Sequence, residues 1–148
     1  MSVNSNLVDI VFVPTEPYVV GREKIREFAT AVFATDLVHH DVAVARDRGF
    51  LDVVAPTTFP VVIQDKTLAQ LLAHPEAGID FSRVVHGDQR FDYSRPLVAG
   101  DEVVAQLRVT KVSSLGAHSM VTSETEVTTL AGEHVVTATS TLVIRGDE

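Results

Sequence analysis

The spacing of apolar residues changes character twice along this chain. Between Arg22 and Ala34, the residues Ile25, Phe28, Ala29, Val32 and Phe33 follow the i, i+3, i+4, i+7, i+8 rule. That spacing predicts one apolar helical face over 22–34. Glu23 and Glu27 place negative charge near the start of this helix, where its dipole favours it. A second helical turn is predicted over Ala43–Arg48, closed by Gly49. From Phe59 to Ala73 the apolar positions Phe59, Val62, Ile63, Leu68, Ala69, Leu71 and Leu72 cover much of a helix circumference. A helix of that kind is wrapped by the rest of its domain. Pro60 is tolerated in its first turn, and Pro75 and Gly78 end it.

The second half reads differently. Segments 84–93, 102–112, 118–129 and 134–145 are rich in Val and Thr. Ala105, Leu107 and Val109 alternate with polar neighbours, and so do Val136, Ala138, Ser140, Leu142 and Ile144. A period of two predicts half-buried antiparallel strands. Turns are expected at 95–101, 113–117 and 130–133. Before the first helix, Tyr18 to Val20 reads as a short strand, and 9–13 as an edge strand or an arm. Helices followed by strands in blocks imply an α+β fold, with a curled sheet around one central helix.

Composition narrows the chemistry. The chain has 148 residues and no cysteine, which removes thiolate metal sites, disulfides and thiol nucleophiles. Its length suits one domain over 1–148, with 1–6 and 146–148 expected to fray. A formal net charge of −8 argues against sequence-independent nucleic-acid binding. His74, His118 and His134 are isolated, so no metal site is expected. The N-terminus lacks a signal-peptide pattern, and no apolar run approaches the ~20 residues that span a bilayer. A soluble cytoplasmic protein without a membrane partner is the expectation.

Two stretches carry a family resemblance. The run Asp36-Leu37-Val38-His39-His40-Asp41, with Ala45, Gly49-Phe50 and Val53-Val54-Ala55, resembles the hydratase segment of MaoC-like hot dog proteins. The run His86-Gly87-Asp88-Gln89-Arg90-Phe91, with Tyr93, Arg95-Pro96-Leu97 and Ala99-Gly100-Asp101, is similar to the MaoC N-terminal dehydratase type. The opening 22–27 and the segment Ala55-Pro56-Thr57-Thr58-Phe59 resemble the non-catalytic subunits, HadA and HadC type, of the mycobacterial (3R)-hydroxyacyl-ACP dehydratase. The resemblance spans 15–145. It implies a hot dog fold, an acyl-CoA or acyl-ACP substrate, no cofactor, and pairing as a homodimer or as a heterodimer with a catalytic hot dog subunit.

Adding water to an enoyl thioester needs a base, an acid and a donor to the thioester oxygen. By resemblance the family's histidine falls on His39, and its aspartate falls on Ala34, which cannot take a proton. Asp36 stands two residues later as the replacement candidate. The family's His-Gly pair falls on Pro56-Thr57, and Pro56 has no N–H to offer. The candidate site is therefore His39 and Asp36 for catalysis, with Ala55, Pro56, Thr57, Phe59 and His86 binding substrate.

Each candidate has a plainer alternative. The stretch 39–41 also reads as a polar loop with Asp41 as a helix N-cap. His86-Gly87 also reads as a strand start with a glycine bulge, and Phe59 as core packing. Three functions follow: a hydroxyacyl-thioester dehydratase or hydratase subunit, a catalytically incomplete acyl-binding subunit, or a thioesterase using Asp65 on the central helix.

Overall fold

A computed structural model describes residues 3–147, so Met1, Ser2 and Glu148 lie outside the described residues, with whatever fraying was expected of them. One antiparallel sheet of five strands carries the fold, in the spatial order β1-β3-β4-β5-β2. Its strands are β1 (Tyr18–Val19), β2 (Val84–Tyr93), β3 (Glu102–Leu115), β4 (His118–Thr129) and β5 (His134–Ile144). Three α-helices precede β2: α1 (Arg22–Ala31), α2 (Val42–Asp47) and α3 (Val61–Ala73). The long strands β3, β4 and β5 curl around α3, which packs over β3 and β4. This is the α+β hot dog architecture expected from the sequence.

The sheet strands begin and end close to where period-two patterning places them, because one face is buried along each of them. α1 ends earlier than its apolar spacing predicts. Phe33 takes a positive φ of 61°, and the Ala34 N–H returns to the Ala29 carbonyl at 2.8 Å. Val32 and Phe33 consequently leave the apolar face and stand exposed. The central helix also starts later, at Val61, because 57–60 forms a turn.

The N-terminal segment is not frayed within the described residues. Asn4 caps a short 3-10 turn at Ser5–Leu7, and Val3 and Leu7 are buried in the core beside Leu71 and Leu107. Apolar side chains placed among polar ones were enough to dock it. The segment then runs antiparallel along β3, with N–H groups of Asp9, Phe12 and Thr15 donating to Val109, Leu107 and Ala105. This arm covers an edge that β1, only two residues long, leaves bare. At the other terminus the Gly146 N–H donates to His118 Nδ1 at 3.2 Å, and Arg83 pairs with Asp147 at 2.6 Å.

The core around the start of α3 is built on Phe59, Ile63, Ile25 and Leu97, all essentially inaccessible. Phe59 meets Phe28 of α1 edge to face, with ring centroids 5.3 Å apart. Phe59→Ala is expected to cost about 3–5 kcal/mol of stability, the usual range for a buried aromatic truncated to alanine. Urea denaturation measures it, and a loss under about 1 kcal/mol would contradict this packing.

Candidate functional site

Two short extended segments set the frame of the site. Residues 53–55 and 97–99 pair through Ala55 N–H to the Leu97 carbonyl (2.9 Å) and Ala99 N–H to the Val53 carbonyl (3.0 Å). This pairing holds the turn before α3 against the loop that follows β2. A cleft of about 420 Å³ opens between them. Its walls are His39, Val54, Ala55 and Thr57 on one side and Tyr93, Ser94, Arg95 and Pro96 on the other. The lining is predominantly apolar, as suits a site for an acyl group.

His39 enters from a 3-10 turn at Leu37–His39. Its Nδ1 lies 2.6 Å from the Val54 carbonyl oxygen, which can only accept. Nδ1 therefore carries a hydrogen, and Nε2 has no protein partner among the described residues. In its neutral form the ring is fixed in the tautomer whose Nε2 can accept a proton from a group in the cleft. The neighbouring His40 does something else: its Nε2 meets the Ala34 carbonyl at 2.8 Å and ties down the end of α1.

Asp36 is not placed to act as a base. Its carboxylate caps the 3-10 turn, accepting the Val38 N–H at 3.0 Å, and pairs with Arg48 at 2.7 Å. The Val38 N–H, and then the Arg48 guanidinium, lower its pKa below the usual carboxylate value. A carboxylate so stabilised is a poorer proton acceptor, and it does not line the cleft. Asp41, in turn, is an N-cap, accepting the Ala43 N–H at 2.8 Å.

The turn before α3 offers backbone donors. Pro56 is buried and contributes no N–H, whereas Thr57 and Thr58 are exposed, and neither N–H has an acceptor among the described residues. The Thr57 carbonyl is occupied by the Tyr93 hydroxyl, which donates at 2.7 Å and so joins the end of β2 to the start of α3. Burial pushes the Tyr93 phenol well above its ordinary pKa, so it remains a donor at neutral pH. Arg95 is committed elsewhere, to Asp101 at 2.9 Å and Glu133 at 2.7 Å, and anchors the far wall.

The structure thus gathers His39, Ala55 and Thr57 into one cleft. It puts Phe59 in the core and His86 further along β2, hydrogen-bonded to Ser140 at 3.2 Å. The register shift between His86 and Asp88 is the bulge at Gly87. Tyr93 and Pro96 belong to the family-like stretch read from the sequence but carry no site role there, and Ser94 is not part of that pattern. Their role depends on where β2 ends relative to α3, which no local pattern encodes. Asp65 is exposed on α3 and does not line the cleft. Among the described residues no three His, Asp or Glu side chains are grouped to hold a metal, and no helix is long and apolar enough to cross a membrane. A second cleft of about 410 Å³ lies near the end of β5, where Arg83 pairs with Asp147 and Asp80.

The cap predicts a pH signature. Because the folded-state pKa of Asp36 is lowered, its contribution to stability is present above about pH 4, its unfolded value. It is lost as the pH falls through the lower folded value. Asp36→Asn should therefore be less stable than the wild type at pH 7, with the gap closing below pH 4. Thermal melts across pH 2–7 measure this, and a gap independent of pH would contradict the ion-paired cap.

With this geometry in place, relatives can be compared. The profile of the FAS1-like dehydratase domain region matches residues 7–138. A UPF0336 protein of Leifsonia xyli is 63% identical over 146 residues, covering 99% of this chain and 98% of its own. Among solved structures, the truncated HadBC (3R)-hydroxyacyl-ACP dehydratase complex of Mycobacterium tuberculosis contains a chain with a TM-score of 0.85 and 29% identity, covering 93% of this chain and 96% of that one. The (R)-hydratase of A. caviae superposes with a TM-score of 0.70 over 91% of this chain and 94% of its own; at 21% identity it shares the fold. The curled sheet, the central helix and the matched residues 7–138 together place this chain in the FAS1-like dehydratase-domain family of MaoC-like hot dog proteins.

Proposed function

We propose that this chain is a subunit of a (3R)-hydroxyacyl-thioester dehydratase, acting on acyl-CoA or acyl-ACP and completed by a second hot dog subunit. The observation that carries the reading is His39, held in one tautomer by the Val54 carbonyl at the wall of an apolar cleft. In the hydration direction, His39 Nε2 takes a proton from water as its oxygen bonds to C3 of the enoyl thioester. The proton returns to C2 as the enolate collapses. The Thr57 N–H, at the cleft wall and without an acceptor among the described residues, donates to the thioester oxygen while its charge builds, aided by the dipole of α3.

The family pattern pairs such a histidine with a carboxylate, and among the described residues none lines this cleft. Ala34 cannot supply it, and Asp36 is held by Arg48 and the Val38 N–H. A partner that brings a carboxylate completes the acid–base pair. This is consistent with the similar HadBC chain, which comes from a complex of two subunits. The outer edge of β2 is the natural seam, since among the described residues β2 pairs only with β5 and presents an unpaired row of backbone groups. Without that partner the same edge pairs with a second copy, and the isolated protein is a homodimer. Light scattering at micromolar concentration tests the last point, and a monomeric mass would count against it.

Hydration of trans-2-enoyl-CoA, followed by loss of the conjugated-thioester absorbance, tests the function. The chain alone is expected to turn over at least about 100-fold more slowly than its complex with a carboxylate-bearing hot dog subunit. His39→Ala should abolish what remains. Turnover by the chain alone that survives His39→Ala would overturn the proposal. Release of free CoA from saturated acyl-CoA, lost on Asp65→Asn, would point to hydrolysis in its place.

A further inference from the structure

One pair of side chains at the cleft has no part in the chemistry above. Ser94 follows the last residue of β2, and His134 opens β5, 40 residues further on. The sheet brings them together. Tyr93 pairs with Val136, and the Ser94 N–H donates to the Val135 carbonyl at 2.8 Å. Ser94 Oγ then lies 2.6 Å from His134 Nδ1, and His134 Nε2 lies 2.7 Å from Thr137 Oγ1. Ser94 is exposed and lines the cleft, while His134 and Thr137 are half-buried. The ion pair of Arg95 with Glu133, at 2.7 Å, ties the same two segments one residue along.

A hydroxyl, a base and a group that orients the base are therefore hydrogen-bonded in series. When His134 Nε2–H donates to Thr137, Nδ1 keeps its lone pair for the Ser94 hydroxyl. A serine hydroxyl is a weak nucleophile alone and a competent one when an imidazole takes its proton during attack. Its surroundings supply what such an attack needs. Ser94 shares the cleft with Thr57, whose N–H has no acceptor among the described residues. A carbonyl oxygen bound to that N–H has a donor while tetrahedral charge builds. The Tyr93 hydroxyl, bonded to the Thr57 carbonyl at 2.7 Å, ties the segment carrying the serine to the turn carrying the donor.

We propose that Ser94 and His134 form a second catalytic pair in this cleft, one that takes the acyl group of a thioester as a serine ester and hydrolyses it. Ser94 Oγ bonds to the thioester carbonyl carbon as His134 Nδ1 takes the hydroxyl proton. The C–S bond breaks, and the proton passes from His134 to the departing thiolate. Water then attacks the serine ester and gives a proton to His134, which returns it to Ser94 Oγ as the carboxylic acid leaves. This chemistry is at the carbonyl carbon, whereas His39 acts at C2 and C3, so saturated acyl thioesters are substrates for it. The substrate class rests on the acyl-thioester reading above; the coupling of Ser94 to His134 does not.

The chain contains no cysteine, so Ser94→Cys introduces a single thiol that reads the pair directly. Alkylation of that thiol by iodoacetamide at pH 7 should be at least about tenfold faster than that of free cysteine, and adding His134→Gln should remove the advantage. The wild type should release CoA from saturated octanoyl-CoA, as read by a thiol reagent. Ser94→Ala should abolish that release, His134→Gln should slow it about 100-fold, and Asp65→Asn should leave it unchanged. A thiol no more reactive than free cysteine, or CoA release that survives Ser94→Ala, would overturn the catalytic pair and reduce it to a staple between β2 and β5. So would the absence of CoA release from a protein that hydrates enoyl-CoA with its partner. An activated thiol in a protein that neither hydrates nor cleaves any acyl-CoA would overturn the acyl-thioester reading itself, and so the two failures are distinguishable.

Discussion

The central helix has more apolar surface than a flat sheet can cover. Ile63 and Leu71 point into the sheet, while Phe59, just before the helix, is enclosed by α1 and the loop at Leu97. Desolvating all of this requires strands that curl, and β3, β4 and β5 are long enough to do so. Once they curl, the two ends of the sheet are committed to different tasks. The β1 edge is shielded by the N-terminal arm, and the β2 edge is unpaired among the described residues. The fold therefore has one protected seam and one available for assembly.

The same constraint creates the cleft. α3 cannot begin until the turn at 57–60 has delivered Phe59 to the core, so Thr57 and Thr58 stand exposed, with N–H groups that have no acceptor among the described residues. Tyr93, at the end of β2, reaches that turn and fixes the gap between strand and helix. Val54, paired with the loop after β2, presents its carbonyl to His39. The base candidate, the donors and the apolar wall are thus by-products of how the chain enters and leaves its central helix. Rigidity on the far side comes from Arg95, which ties its own loop to Asp101 and to Glu133 in the turn between β4 and β5.

Local chemistry and family position disagree at Asp36, and the disagreement is informative. An acid two residues from the family position suggests a replacement base. The structure instead gives that carboxylate to a helix cap and to Arg48. Charge and hydrogen bonding stabilise its ionised form, which is what a cap needs and the opposite of what a base poised near neutral pH needs. His39 shows the converse: a backbone carbonyl fixes its tautomer and frees the other ring nitrogen.

The sequence by itself determined the elements. The 3.6-residue period around Ile25 and Ala29, the apolar run into Leu72 and the period of two through Val136 and Ile144 are local signals, written wherever one face of an element is buried. His39 and Thr57 are picked out by the family pattern of their neighbours, and the structure brings both to the wall of one cleft. Early termination of α1, docking of residues 3–15 and the contact of Tyr93 with Thr57 were decided by the tertiary structure. So was the polar row across β2, β5 and β4, since Gln89, Ser140 and Ser123 are each unremarkable in sequence and become a feature only when register aligns them. Local periodicity specifies which face of an element is buried, but not which groups meet there. That depends on strand register and on helix placement, which are set by contacts between residues far apart in the chain.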